Sequence, residues 1–312
     1  MNETENGVSW LHRLASLLAV ITFLMFMTGL LASDMGTALF TFHRAGLGAS
    51  GKDSTDFSGT YAHIYRVLVV MVSALTVTFA FLLNKSGSRR YLKILGNVTV
   101  GVLVAIAFMV LGPLRTQLSV AEPFAYLLGI QIFFSLTVCL ALFTRTDWRW
   151  DEPKTMDLAS PSLRQILVFT AAAVFLQPVL GEGFREKEMG IAPHLVLGIA
   201  VTVCALWVLE MALTKYSHLR TFKISAIFLA ELVGLELFLG IISYSMDLNA
   251  RAAPGSQPGL VVMNVTHAAV GALVLAASLF VTFQGFKYFA RAESMASSAL
   301  LPKKQAASHQ QD

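Results

Sequence analysis

The chain has 312 residues, of which 55% are hydrophobic and only 13% charged, with a net charge of +4. Soluble globular proteins carry roughly 25% charged residues, so a water-surrounded domain of this length is excluded. The small positive balance gives no case for nucleic-acid binding.

A helix needs about 20 apolar residues to cross a hydrocarbon core ~30 Å thick. Eight runs qualify in chain order: 14–33, 62–83, 94–113, 124–144, 165–181, 193–213, 224–246 and 260–284. The first lacks a strongly basic lead and a small-residue cleavage site, so it reads as a retained helix. The fifth is short and contains Pro178. Lipid leaves helices or a closed barrel as the spanning options. Barrel strands alternate apolar and polar residues, whereas Leu14–Met27 and Val98–Leu111 are almost continuously apolar. The predicted fold is therefore all-α integral membrane, with eight transmembrane helices in two pseudo-symmetric four-helix bundles.

An even number of crossings puts both termini on one side. That side holds 16 of the 23 Lys and Arg residues and the opposite side 7. The positive-inside rule assigns the richer side to the cytoplasm; the expected location is the cell membrane of a bacterium or archaeon. Cys139 and Cys204 fall inside predicted helices, so no structural disulfide is expected.

The pseudo-symmetry rests on a repeated pattern. Odd helices end in Phe26-Met-Thr-Gly29, Met109-Val-Leu-Gly112, Pro178-Val-Leu-Gly181 and Leu237-Phe-Leu-Gly240. Even helices begin with Tyr61-Ala-His63, Phe124-Ala-Tyr126, Ala192-Pro-His194 and Val265-Thr-His267. The expected layout is a first half over 1–150, a cytoplasmic linker over 151–163, a second half over 164–290 and a cytoplasmic tail over 291–312.

Of seven histidines, His12, His218 and His309 fall in cytoplasmic segments and are expected to be solvated; His43 falls in the first outer loop. His63, His194 and His267 lie just inside the outer ends of their helices. Ionisable groups in a membrane face a bundle interior and a specific partner, and two neutral imidazoles can hold a haem iron from opposite faces. His194 and His267 open the two even helices of one half, so they are candidates to ligate iron together. A histidine at a helix mouth can equally be an interfacial anchor. No Cys-x-x-Cys-His occurs, which excludes covalent c-type haem, and no His-Glu-x-x-His argues for zinc.

The run Leu11-His-Arg-Leu-Ala-Ser-Leu-Leu-Ala-Val-Ile-Thr-Phe-Leu leading to Thr28-Gly-Leu-Leu-Ala-Ser33 resembles the opening of haem A synthases. Leu176-Gln-Pro-Val-Leu-Gly181 followed by His194, and Asn264-Val-Thr-His267, are similar too. The resemblance covers nearly the whole chain, through short and degenerate motifs. It implies a b-type haem held by His194 and His267, and a first half in which a haem O methyl group is oxidised toward haem A for cytochrome oxidase assembly. His63 would be the catalytic and iron-ligating residue there, around a second haem or haem O as substrate. Implied partners are haem O or haem b and an electron donor such as a quinol, in the bilayer, with oligomerisation left open.

The departures from that pattern are specific. Tyr126 stands where the family has a second first-half histidine. Thr60 stands where the family usually has Glu, and Arg66 follows His63 by three residues instead of one. No cysteine pair occurs in 34–59. A phenolate can ligate ferric haem, so Tyr126 is a candidate cofactor residue; an aromatic packing role is the alternative. Arg185 and Lys187 are candidate partners of haem propionates, against a loop compensated internally by Glu182, Glu186 and Glu188. Arg66 and Arg115 are their first-half analogues. Glu231 and Glu236 sit deep enough to need a partner, while Glu210 is expected at the cytoplasmic interface with Lys215. Enzymatic activity is therefore left open: a haem A synthase-like oxidoreductase, or a non-catalytic b-type cytochrome exchanging electrons with quinone or a respiratory partner.

Overall fold

In the computed structural model of the chain, the described residues are 3–36, 56–111, 122–146, 148, 150, 154–157, 160–252 and 258–291. His43, Gly112, Arg115 and His309 lie outside them. The helices are α1 (Glu3–Gly36), α2 (Asp56–Lys85), α3 (Arg90–Leu111), α4 (Glu122–Phe143), α5 (Leu163–Arg185), α6 (Ala192–Leu213), α7 (Arg220–Ala252) and α8 (Pro258–Tyr288). All eight are long and apolar enough to cross a membrane, so the chain is an all-α integral membrane protein.

The helices pack as two rings of four. In the first ring α1 touches α2 and α4, and α3 touches α2 and α4; the second repeats this with α5 to α8. The rings meet through α1 with α8, α4 with α5, and α4 with α8. Exchange of the halves turns the first two contacts into each other and maps the third onto itself, as a two-fold pseudo-symmetric arrangement requires. Each ring has its own apolar core. Leu18, Phe79, Leu83 and Phe133 fill the first, and Val208, Phe222, Leu229 and Val281 the second. Outward-facing side chains are also apolar, as with Val70 (68% exposed), Val196 (66%) and Ile199 (61%). A water-facing surface would not tolerate this pattern on every helix; a lipid-facing one favours it.

Many polar groups inside the bundles are paired. Hydroxyls of Thr22, Thr76, Thr99 and Thr170 donate to carbonyls four residues earlier, which satisfies them without breaking the helix. Between helices, Asn84 bonds Asn97 (2.8 Å), Gln284 donates to Ser225 (3.0 Å), and Thr282 donates to the Leu167 carbonyl (3.1 Å). Such bonds lock helix register where apolar packing alone discriminates weakly.

The stretch expected as a linker is a built part of the fold. Thr155–Asp157 forms β1, which pairs in parallel with β2, Phe289–Arg291, just after α8. Buried Asp157 accepts from the Leu163 amide at the start of α5 and from the Tyr216 hydroxyl (3.3 Å). Burial, and then the Asp157 carboxylate beside it, push the Tyr216 phenol up to about 12. A capping box between Ser162 and Gln165 starts α5. Phe143 packs on Trp148, Trp150 and Phe283, and Lys287 lies over the Trp148 ring. This cap joins the two halves at one end of the molecule. His12 also departs from expectation: it is part-buried, its Nδ1 2.9 Å from the Ala141 carbonyl, and ties α1 to α4. His218 is exposed, as expected.

Candidate functional site

At the end of the second ring opposite the β1–β2 cap, His194 on α6 meets His267 on α8. Their ring centroids are 6.4 Å apart and their planes nearly perpendicular, at 84°. Two facing features place each ring. The first is a glycine on the preceding odd helix. A Cβ on Gly181 would lie 3.4 Å from His194 Cε1, and one on Gly240 would lie 3.2 Å from His267 Cε1. A methyl at position 181 would rest in contact with the imidazole, and one at position 240 would press on it.

The second feature is a partner for Nδ1. His194 Nδ1 is 3.1 Å from the Gln177 carbonyl oxygen. His267 Nδ1 is 3.2 Å from Glu236 Oε1. That approach is off the line of a hydrogen bond, so among the described residues His267 Nδ1 and Glu236 Oε2 are buried atoms without one. The side chains of His267 and Glu236 remain 24% and 25% exposed.

Gln177 and Glu236 are equivalent. Each stands four residues before the glycine that backs a histidine, and each faces a glycine four residues after that histidine. A Cβ on Gly198 would lie 2.9 Å from Gln177 Nε2, and one on Gly271 would lie 2.8 Å from Glu236 Oε1. The site is therefore built from two copies of one device: Gln or Glu, x-x-x, Gly on the odd helix against His, x-x-x, Gly on the even helix. This spacing is readable in the sequence, and sequence reasoning aligned the glycines and histidines without noticing the acid–amide position. One turn further out, Ser243 donates to Asn264 (2.6 Å), joining α7 to α8 above His267.

Two Nδ1 atoms facing backbone or carboxylate oxygens leave both Nε2 atoms for a ligand, the arrangement that commonly orients metal-bound imidazoles. With metal–nitrogen bonds of about 2 Å and each nitrogen about 1 Å from its ring centroid, two imidazoles on opposite sides of one ion hold their centroids on the order of 6 Å apart, which the 6.4 Å separation here matches. The donor set fits a haem iron: two imidazoles alone underfill a bare ion, but they complete an iron already carried by a porphyrin.

The first ring presents a different pair. Tyr65 on α2 and Tyr126 on α4 are joined by a 2.6 Å hydrogen bond between their hydroxyls. A Cβ on Gly29 would lie 3.0 Å from Tyr65 Cε2, so Tyr65 is the residue that α1 backs with a glycine, as α5 backs His194. His63 is exposed. Two residues along a helix turn the side chain by about 200°, so His63 points away from the side on which Tyr65 meets Tyr126. The structure thus brings His194 to His267 and does not bring His63 to Tyr126. Sequence reasoning missed Tyr65 because a repeat aligned by residue type selects the imidazole, whereas helical phase selects the phenol.

The remaining candidates are placed as follows. Arg185 Nη2 is 2.7 Å from Glu182 Oε1 and 3.9 Å from Glu186 Oε1, so it is engaged on its own helix end. Lys187 is exposed, with φ of 62° after the last turn of α5. Arg66, Glu210 and Glu231 are exposed or half-buried on outward faces. No protein-family profile and no curated protein matches the chain.

Proposed function

We propose that this chain is a haem A synthase-like membrane haemoprotein whose second half holds a b-type haem between His194 and His267. The observation that carries the reading is the pair itself: two imidazoles from facing helices, each backed by a glycine and each with Nδ1 turned toward an oxygen. Haem bound there would supply a one-electron iron couple. The chain's own part is to hold the two axial nitrogens, orient the rings and keep water and lipid away from the iron. In this reading the first half receives haem O and oxidises its methyl group toward haem A, with His63 as the ligand or catalytic group.

A second reading, a b-type cytochrome without haem O oxidation, is favoured by a specific observation. The Tyr65–Tyr126 hydrogen bond occupies the place of a second histidine pair, and His63 faces away from it. Arg185 and Lys187 belong to both readings as propionate partners of the second-half haem; the Arg185–Glu182 contact would have to open for that role.

The test is a pyridine haemochrome spectrum of the purified protein, then co-expression with a haem O-producing enzyme in a host lacking its own haem A synthase, with haem extraction. One protohaem per chain, lost on replacing His194 and His267, supports the haem site. Haem A that disappears with His63→Ala supports the enzyme. Haem O left unchanged, with protohaem still bound, selects the cytochrome. A purified protein free of haem would overturn both.

A further inference from the structure

We infer that Glu236 is a positioning residue for His267 and makes the two axial imidazoles of the site unequal; this rests on the haem reading proposed above. The two halves of the site are otherwise copies. Gln177 and Glu236 occupy the same step of the repeat, the same distance from the glycine that backs the histidine and against the same kind of glycine on the next helix. One copy carries a neutral amide and the other a carboxylic acid. A carboxylate inside a membrane bundle is costly, and the amide at position 177 demonstrates that the scaffold accepts a neutral residue there. The acid therefore has a task that an amide of equal size does not perform.

Its surroundings identify that task. Glu236 Oε1 faces His267 Nδ1 at 3.2 Å, whereas His194 Nδ1 faces the backbone carbonyl of Gln177 at 3.1 Å. An imidazole bound to iron through Nε2 carries its proton on Nδ1. His194 then donates to an amide oxygen, and His267, with its ring turned into line, donates to the carboxylate that stands 3.2 Å from its Nδ1. A carboxylate is the stronger acceptor and raises the electron density that its imidazole passes to the metal. His267 is accordingly the stronger donor of the pair, and the ferric state is favoured over the ferrous. The Gly271 contact enforces the arrangement, because a side chain there would occupy the position of Oε1.

The experiment uses the purified haem-loaded protein and measures its midpoint potential by spectroelectrochemistry, alongside the low-spin ferric signature by electron paramagnetic resonance. Glu236→Gln should raise the potential, with about a tenfold change in the oxidised-to-reduced ratio at fixed ambient potential, or about 59 mV for one electron. Gly271→Ala, which displaces the carboxylate without removing it, should move the potential the same way and decides the matter if Glu236→Gln fails to hold haem. Glu231→Gln, which removes an acid from an exposed position on the same helix, should leave both readouts unchanged. Wild-type potential and signature in Glu236→Gln and Gly271→Ala would overturn the inference while leaving the histidine pair intact. A wild-type protein without haem would overturn the reading of the site, and this inference with it.

Discussion

The two four-helix rings place a pair of facing rings at corresponding steps, and the chemistry of the pairs differs. In the second ring His194 and His267 face each other without a direct hydrogen bond and keep both Nε2 atoms available. In the first, Tyr65 and Tyr126 are joined directly through their hydroxyls at 2.6 Å. An imidazole has two nitrogens, one to be oriented by the protein and one to bind; a phenol has a single oxygen, and here it is used by the opposite phenol. The comparison teaches that a repeated scaffold can preserve the place of a side chain while exchanging ligation for cohesion. It also separates two roles that a glycine opposite a ring can serve. Gly240 leaves space for a potential ligand, and Gly29 leaves space for a packed phenol.

The largest expected effect tests the second ring. Replacing either His194 or His267 with Ala should abolish a low-spin b-type optical spectrum, because six-coordinate iron needs both imidazoles. His218→Ala should leave the spectrum intact. An unchanged spectrum in the double variant would remove the proposed distinction between the rings.

The next test converts one ring into the other. Tyr65→His combined with Tyr126→His should create a second imidazole pair, and haem per chain, measured by pyridine haemochrome against protein mass, should double. A stoichiometry that stays at one would mean that the first ring differs by the shape of its cavity and not only by its ring type.

A smaller effect is expected from the glycines. Gly240→Ala would put a methyl 3.2 Å from His267 Cε1, and haem transfer to apomyoglobin should accelerate by about tenfold, the low end of what disturbing a ligand's support produces. Gly101→Ala, where a methyl meets nothing within 4 Å, should leave transfer unchanged and raise stability by about 0.5–1 kcal/mol through helix propensity.

The smallest effect belongs to the first ring. Tyr126→Phe removes the hydrogen bond to Tyr65 and should lower stability by about 1 kcal/mol in thermal or denaturant unfolding, with no change in the haem spectrum. A changed spectrum would place Tyr126 at a haem and bring the two rings closer in function than their geometry implies.

The amino-acid sequence by itself determined the eight spans and the helical class. Both follow from run length and from the cost of an open backbone in lipid, which are properties of local composition. It also determined the pairing of His194 with His267 as an expectation, because they open equivalent helices. The tertiary structure decided which face each residue presents. Helical phase turned His63 outward and Tyr65 inward, a difference of two residues that residue type alone does not reveal. Packing also brought Glu236 to His267 across α7 and α8, and folded the stretch around Thr155 against Phe289 into a parallel ribbon. Contacts between residues so far apart in the chain depend on how helices cross and in what register. Local periodicity carries information about the face of one helix, and the partner of that face exists only once the helices have packed.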